Sequence, residues 1–171
     1  MNEVVVGLHR ISHALRKLGL NGLASLCVLA NRLVFGCYLG SGARIGKRVS
    51  LAYGGLGIIV HDKAVIGDDV RIGAHVVIGG RSKMRDVPVI GDRVVIAAGA
   101  KVLGPIHIGD EAVIGANAVV VADVEARTVV AGVPARVIKR EIDIRRYHDG
   151  LPLAGPTPET TPETARLRKA S

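Results

Sequence analysis

An aliphatic residue recurs at every sixth position through most of the chain: Val60, Ile66, Ile72 and Ile78, then Ile90, Ile96, Val102, Ile108, Ile114 and Val120. A small residue usually follows, as in Gly67, Gly73, Gly91, Ala97, Gly109 and Gly115, and a small or β-branched one sits two places before, as in Ala64, Val70, Val94, Ala100 and Ala118. A spacing of six puts successive aliphatics on opposite faces of a 3.6-residue helix, and the glycines would penalise that helix further. The same period is the signature of a parallel β-helix. One short strand and one turn make a six-residue rung, and three rungs close a triangular coil whose strands bond to the coils on either side at about 4.8 Å. Ile45 and Leu51 add two earlier rungs, so about twelve strands in about four coils are expected. Residues eighteen apart should then stack, with Val60, Ile78, Ile96 and Ile114 in one column.

The ends depart from this period. Leu8, Ile11, Leu15 and Leu18 recur at helical spacing, and Leu26, Leu29, Ala30 and Leu33 form a second stripe, with Gly19, Asn21 and Gly22 between. Residues 1–40 are therefore expected to be a helical cap over the open first coil, whose strand edges would otherwise be bare. Attachment to a membrane surface is the lesser alternative, since neither stretch approaches the roughly 20 residues a bilayer span needs. Residues 41–140 form the β-helix. Within it, Gly79 to Pro88 is charged and glycine-rich and reads as a loop thrown out from one corner, while Gly54, Gly55 and Gly57 let the backbone bulge between Leu51 and Val60. Residues 141–171 form an extension expected to be largely disordered, with Thr157-Pro-Glu-Thr160 repeated at once as Thr161-Pro-Glu-Thr164.

Composition narrows the partners. The formal charge of +8 and pI near 10.0 invite a nucleic-acid reading, but aromatics are 2% of the chain and the cations are scattered. A small polyanionic ligand, or solubility alone, accounts for the charge equally well. Cys27 and Cys37 make neither a disulfide framework nor a metal box and fit reduced thiols in a cytoplasmic protein. No basic leader with a cleavage site is visible at the start.

The stretches Gly57 to Gly67, Val76 to Gly80, Pro88 to Gly91, Ala98 to Pro105 and Ala131-Gly-Val-Pro-Ala135 resemble the left-handed β-helix acyltransferases of the hexapeptide-repeat superfamily. Within it they are most similar to the serine acetyltransferase branch. The resemblance implies a left-handed coil, a homotrimer with sites between subunits, and acetyl-CoA along the seam between neighbouring prisms, with no metal. By position, the coenzyme contacts fall on Gly80, Ala98, Ala116, Arg136 and Lys139. The chain also departs from the branch. Serine acetyltransferases carry an Asp-His pair where this chain reads Ala52-Tyr53-Gly54, and a second His before the proline where it has Val87.

Six histidines remain. His9, His13 and His148 are expected to be solvated or cap residues, and His107 alternates with two isoleucines and points outward. His75 falls in a turn stacked with Arg93 and Glu111. His61 follows Val60, so the eighteen-residue column places it with Gly79, Ala97 and Gly115, at the corner that launches the loop. This register selects His61 as general base, with Tyr53 or Asp62 orienting the ring and N–H groups of the Gly79-Gly80 turn facing the oxyanion. The expected activity is acetyl transfer from acetyl-CoA to a hydroxyl, of serine or of a sugar. The alternatives are a catalytically silent scaffold, or a γ-type carbonic anhydrase, whose three zinc histidines include a close pair this chain lacks.

Overall fold

The computed structural model describes residues 1–84 and 86–148. Two helices, α1 (Asn2–Lys17) and α2 (Asn21–Phe35), precede a parallel β-solenoid whose strands are two to four residues long. Three sheets form its faces. Sheet A stacks β1 (Tyr38–Leu39), β4 (Ile59–Val60), β7 (Val77–Gly79), β10 (Lys101–Leu103) and β13 (Val119–Val120). Sheet B stacks β2 (Arg44–Ile45), β5 (Val65–Ile66), β8 (Val89–Ile90) and β11 (His107–Ile108). Sheet C stacks β3 (Ser50–Leu51), β6 (Arg71–Ile72), β9 (Val95–Ile96), β12 (Val113–Ile114), β14 (Val129–Ala131) and β15 (Arg136–Lys139), the last antiparallel. About four turns result, and each predicted rung aliphatic ends or centres a strand. All but Ile45 are buried, each burial contributing roughly 1.5–3 kcal/mol.

The stacking register differs from simple eighteen-residue counting. Val60 lies over Ile78, but Ile78 lies over Val102, twenty-four residues on. The segment after Gly79 contributes no rung; it is an insertion that leaves and rejoins at the corner between sheets A and B. Every later column is therefore shifted. Ile96 stacks on Ile72 and Ile114, in sheet C, and not on Ile78.

The corner between sheets B and C shows what locks one coil to the next. Asp68 Oδ1 accepts from the amide of Lys47 (2.7 Å), Asp92 Oδ1 from that of Asp68 (2.8 Å), and Asp110 Oδ1 from that of Asp92 (2.8 Å). One residue further on, Arg48, Asp69, Arg93, Glu111 and Arg127 stack in alternating sign, all at positive φ. Arg48 pairs with Asp69 at 2.6 Å and Arg93 with Glu111 at 2.9 Å, while Arg127 reaches Glu141 at 2.7 Å. The Arg48 guanidinium holds the Asp69 carboxyl below its usual range.

The helices cap the first coil with faces other than the predicted stripes. Val5, Val6 and His9 of α1 face the coil, and Phe35 of α2 packs on the same core. Asn2 Oδ1 accepts from Leu51 N (2.8 Å), covering the open edge of sheet C. Ser12 donates to Ala24 O (2.9 Å) and Asn31 Nδ2 to Val5 O (3.2 Å), so small polar groups join the two helices. Ile11, Leu18, Leu26, Leu29 and Leu33, expected to be inward, face outward. The helix pair thus buries Val, Ser and Asn and exposes Leu.

The first residues of the C-terminal extension pack on the solenoid, and only His148 departs from expectation there. Residues 141–148 are ordered against the solenoid: Ile142 and Ile144 are buried with Val113, and His148, expected to be solvated, is buried with Nε2 donating to Asp69 O at 2.7 Å. The repeat at Thr157–Thr164 lies outside the described residues.

Asp92→Ala should lower the melting temperature, because the Asp68 amide loses its acceptor, a loss of about 1 kcal/mol. Asp92→Asn, which keeps an oxygen there, should lower it less, as thermal unfolding of the two variants would show. Burial, with His13 and Arg10 adding, pushes His9 down to about 4. The unfolded chain therefore binds more protons between about pH 4 and 6.5, and stability should be full above 6.5 and fall as pH drops through that window. Denaturant titration of His9→Gln against the parent from pH 4 to 7 should show that slope flattened.

Candidate active site

The corrected register separates residues that simple counting puts together. His61 follows β4 and Gly79-Gly80 ends β7, so both belong to the corner between sheets A and B. Ala97, Ala98, Gly115 and Ala116 follow β9 and β12, at the corner between sheets C and A. His61 is therefore not stacked with Ala97 and Gly115, and Gly80 is not beside Ala98 and Ala116. Gly80 instead lies near Val87 of its own loop. His75, expected beside Arg93 and Glu111, also follows sheet C, so its column runs through Gly99 and Asn117.

The corner between sheets C and A carries a column of small residues. Ala74, Ala98 and Ala116 occupy equivalent places after β6, β9 and β12, joined by Gly99 N to Ala74 O (2.8 Å) and Asn117 N to Ala98 O (2.9 Å). A Cβ on Gly73 would collide with the backbone of Ala98, so glycine is needed for the coils to close there. The turn from β14 to β15, Ala131 to Ala135, crowns the column, and Arg136 opens its far side opposite Ala131. Lys139 is carried away: β15 returns along the sheet to set it opposite Val129. Arg136 and Lys139 thus stand at opposite ends of one strand.

Tyr53 and His75 share this corner. Tyr53 lies in the 3₁₀ segment Ala52–Gly55, is 80% exposed and holds a φ of 51°, in the left-handed region. The next coil places His75, exposed and at φ 59°, with its amide on Leu56 O (2.9 Å). Its ring lies against Gly57, where a Cβ would collide with Nδ1. Lys101 Nζ donates to the carbonyls of His75 (3.2 Å) and Gly99 (2.7 Å), stiffening the turn. His75 emerges only once the Gly80 to Pro88 segment is read as a pure insertion; Pro88 and the missing central aliphatic are the signals for that.

At the other corner, His61 is half-buried. Its Nδ1 accepts from the Lys63 amide (3.1 Å), so in the neutral ring Nε2 carries the proton and is the donor. Asp62 does not orient this ring. Its carboxylate takes Arg16 Nη1 at 2.6 Å and the amide of Gly42 at 2.8 Å. Burial pushes the Asp62 carboxyl upward, but the Gly42 amide and the Arg16 guanidinium outweigh it, and the net result lies below the usual carboxylate range. Tyr53, at a different corner, does not orient His61 either. Beside the turn opens a recess of about 490 Å³ whose lining includes Arg16, Lys17, Arg44 and Lys63 around Asp62. An anionic group would be drawn there.

A solenoid of six-residue rungs points to the hexapeptide-repeat transferases. Residues 88–122 match the bacterial transferase hexapeptide family (six repeats), and residues 69–104 match the hexapeptide repeat of succinyl-transferase. The chain is 37% identical over 149 residues to the serine acetyltransferase of Bacillus pumilus, covering 84% of this chain and 68% of that one. It belongs to the serine acetyltransferase family. Serine acetyltransferase from Brucella abortus in complex with coenzyme A superposes with a TM-score of 0.77 at 35% identity, over 79% of this chain and 54% of that one. The soybean enzyme complexed with serine gives 0.75 at 39%, over 78% and 56%. The chain spans about half the length or less of several curated relatives it matches.

Asp62→Asn should free the C-terminal turns of α1 from the solenoid. Hydrogen exchange should then quicken at residues 13–17 and stay unchanged in sheets A to C.

Proposed function

We propose that the protein moves an acetyl group from acetyl-CoA to a hydroxyl, with serine as the leading acceptor. The observation that carries this reading is the Ala74, Ala98 and Ala116 column, in a chain whose relatives include one solved with coenzyme A and one solved with serine. Small side chains leave the backbone open to an extended pantetheine. Arg136, at the head of the column, would meet phosphate; Lys139 would serve only a ligand bending across sheet C. A sugar hydroxyl is the second acceptor, because this chain reads Ala52-Tyr53-Gly54 where the resemblance implies the Asp-His pair of the serine branch, and Val87 where it implies the second His.

Two histidines can act as base. His61 fills the role only in its other neutral tautomer, giving up the Lys63 amide, a bond of about 1 kcal/mol. His75 makes no side-chain hydrogen bond among the described residues and shares the corner of the small-residue column, which makes it the stronger assignment. Its neutral imidazole would take the proton of the acceptor hydroxyl as that oxygen attacks the thioester carbonyl. Collapse of the tetrahedral intermediate breaks the C–S bond, and the proton returns to the departing thiolate. His61, whose Nε2 carries the proton in that tautomer, suits the oxyanion. Because the two histidines occupy different corners of one prism, a site using both takes one from each of two adjoining copies, in keeping with the homotrimer the resemblance implies.

Thiol release from acetyl-CoA should be measured with serine, simple sugars and nucleotide sugars as acceptors. Release with serine is expected, with His75→Ala slowing it about a hundredfold or more and His61→Ala about tenfold. A large loss for His61→Ala with none for His75→Ala would return the base to His61. No release with any acceptor would leave the silent scaffold as the reading.

A further inference from the structure

We propose that the outer face of the α1–α2 hairpin docks on an anionic lipid bilayer. Val5 and His9 turn toward the first coil and Ser12 toward α2, so Val4, Ile11 and Leu18, seven apart, run along the side of α1 away from the solenoid. On α2, Leu23, Leu26 and Leu33 do the same, and the relative exposures reach 60% at Leu26 and 75% at Leu33. Val4, Ile11, Leu18, Leu23, Leu26 and Leu33 are all more than half exposed, and an accumulation of exposed aliphatics of this kind marks a protein or membrane interaction surface.

Charge decides which partner fits. Residues 1–48 hold seven Lys and Arg against Glu3 alone, while the remaining 123 residues are nearly balanced, 16 against 14. Arg16 and Arg48 are held by Asp62 and Asp69. Arg10, Lys17 and Arg32 stand exposed on the flanks of the apolar face. A second copy placed face to face would bring those flanks together, like charge on like. Anionic headgroups meet them with opposite charge, while the leucines enter the boundary between headgroup and acyl chain. Helices of 16 and 15 residues lie in that boundary without crossing it.

Flotation of the full chain with phosphatidylcholine vesicles, with and without phosphatidylglycerol, tests this, since aggregated protein sinks. The protein should float with the anionic vesicles and much less with the neutral ones. Leu26→Glu/Leu33→Glu should cut the floated fraction about tenfold without lowering the melting temperature. Ile11→Glu, on the other helix, is the second variant if the first fails to fold. Arg10→Glu/Lys17→Glu should lose the preference for phosphatidylglycerol. The proposal is overturned if the parent stays at the bottom with both vesicles, or if the leucine variant floats as well as the parent. It is equally overturned if that variant loses subunits by light scattering, which would make the face a contact between copies.

Discussion

Each coil is held by backbone N–H and C=O groups that point along the solenoid axis, and that direction constrains everything else in the molecule. A strand finds its partners only in the coils before and after, so one missed rung would leave a whole row of groups unpaired. Additions can therefore enter only where no ladder bond is needed, at a corner. The loop after Gly79 obeys this: it departs and returns at one corner, and Ile78 still meets Val102 in register. The cap obeys it too, with Asn2 supplying the oxygen that an earlier coil would have offered Leu51.

That constraint explains what could be read from the sequence. The rung aliphatics were legible because burial in a narrow prism admits little but Ile, Val and Leu, and the repeat is long enough to exclude a helix. The columns were not, because counting by eighteen treats Met84 as a rung, and one false rung moves every later residue to another corner. That shifted register singles out His61 and hides His75. The helices escape a sequence reading on a different physical ground. Periodicity finds an apolar face but does not say that the face is turned inward, and the inner side here is built from Val5, Val6, His9 and Ser12, a stripe of weaker contrast.

The two corners flanking sheet A differ in chemistry as well as position. One is a seam of alanines and glycines with His75 and Tyr53 beside it; the other carries His61, the excursion loop and a recess rimmed by cations. A single prism holds these corners apart, and adjoining prisms can bring them together.

The third corner sets a parity rule for the evolution of such a chain. Arg48, Asp69, Arg93, Glu111 and Arg127 alternate in sign with a period of two coils. Tandem duplication or loss of a single coil would set two cations or two carboxylates in adjacent turns, whereas gain or loss of coils in pairs preserves the alternation. Growth of this solenoid is therefore easiest in steps of two.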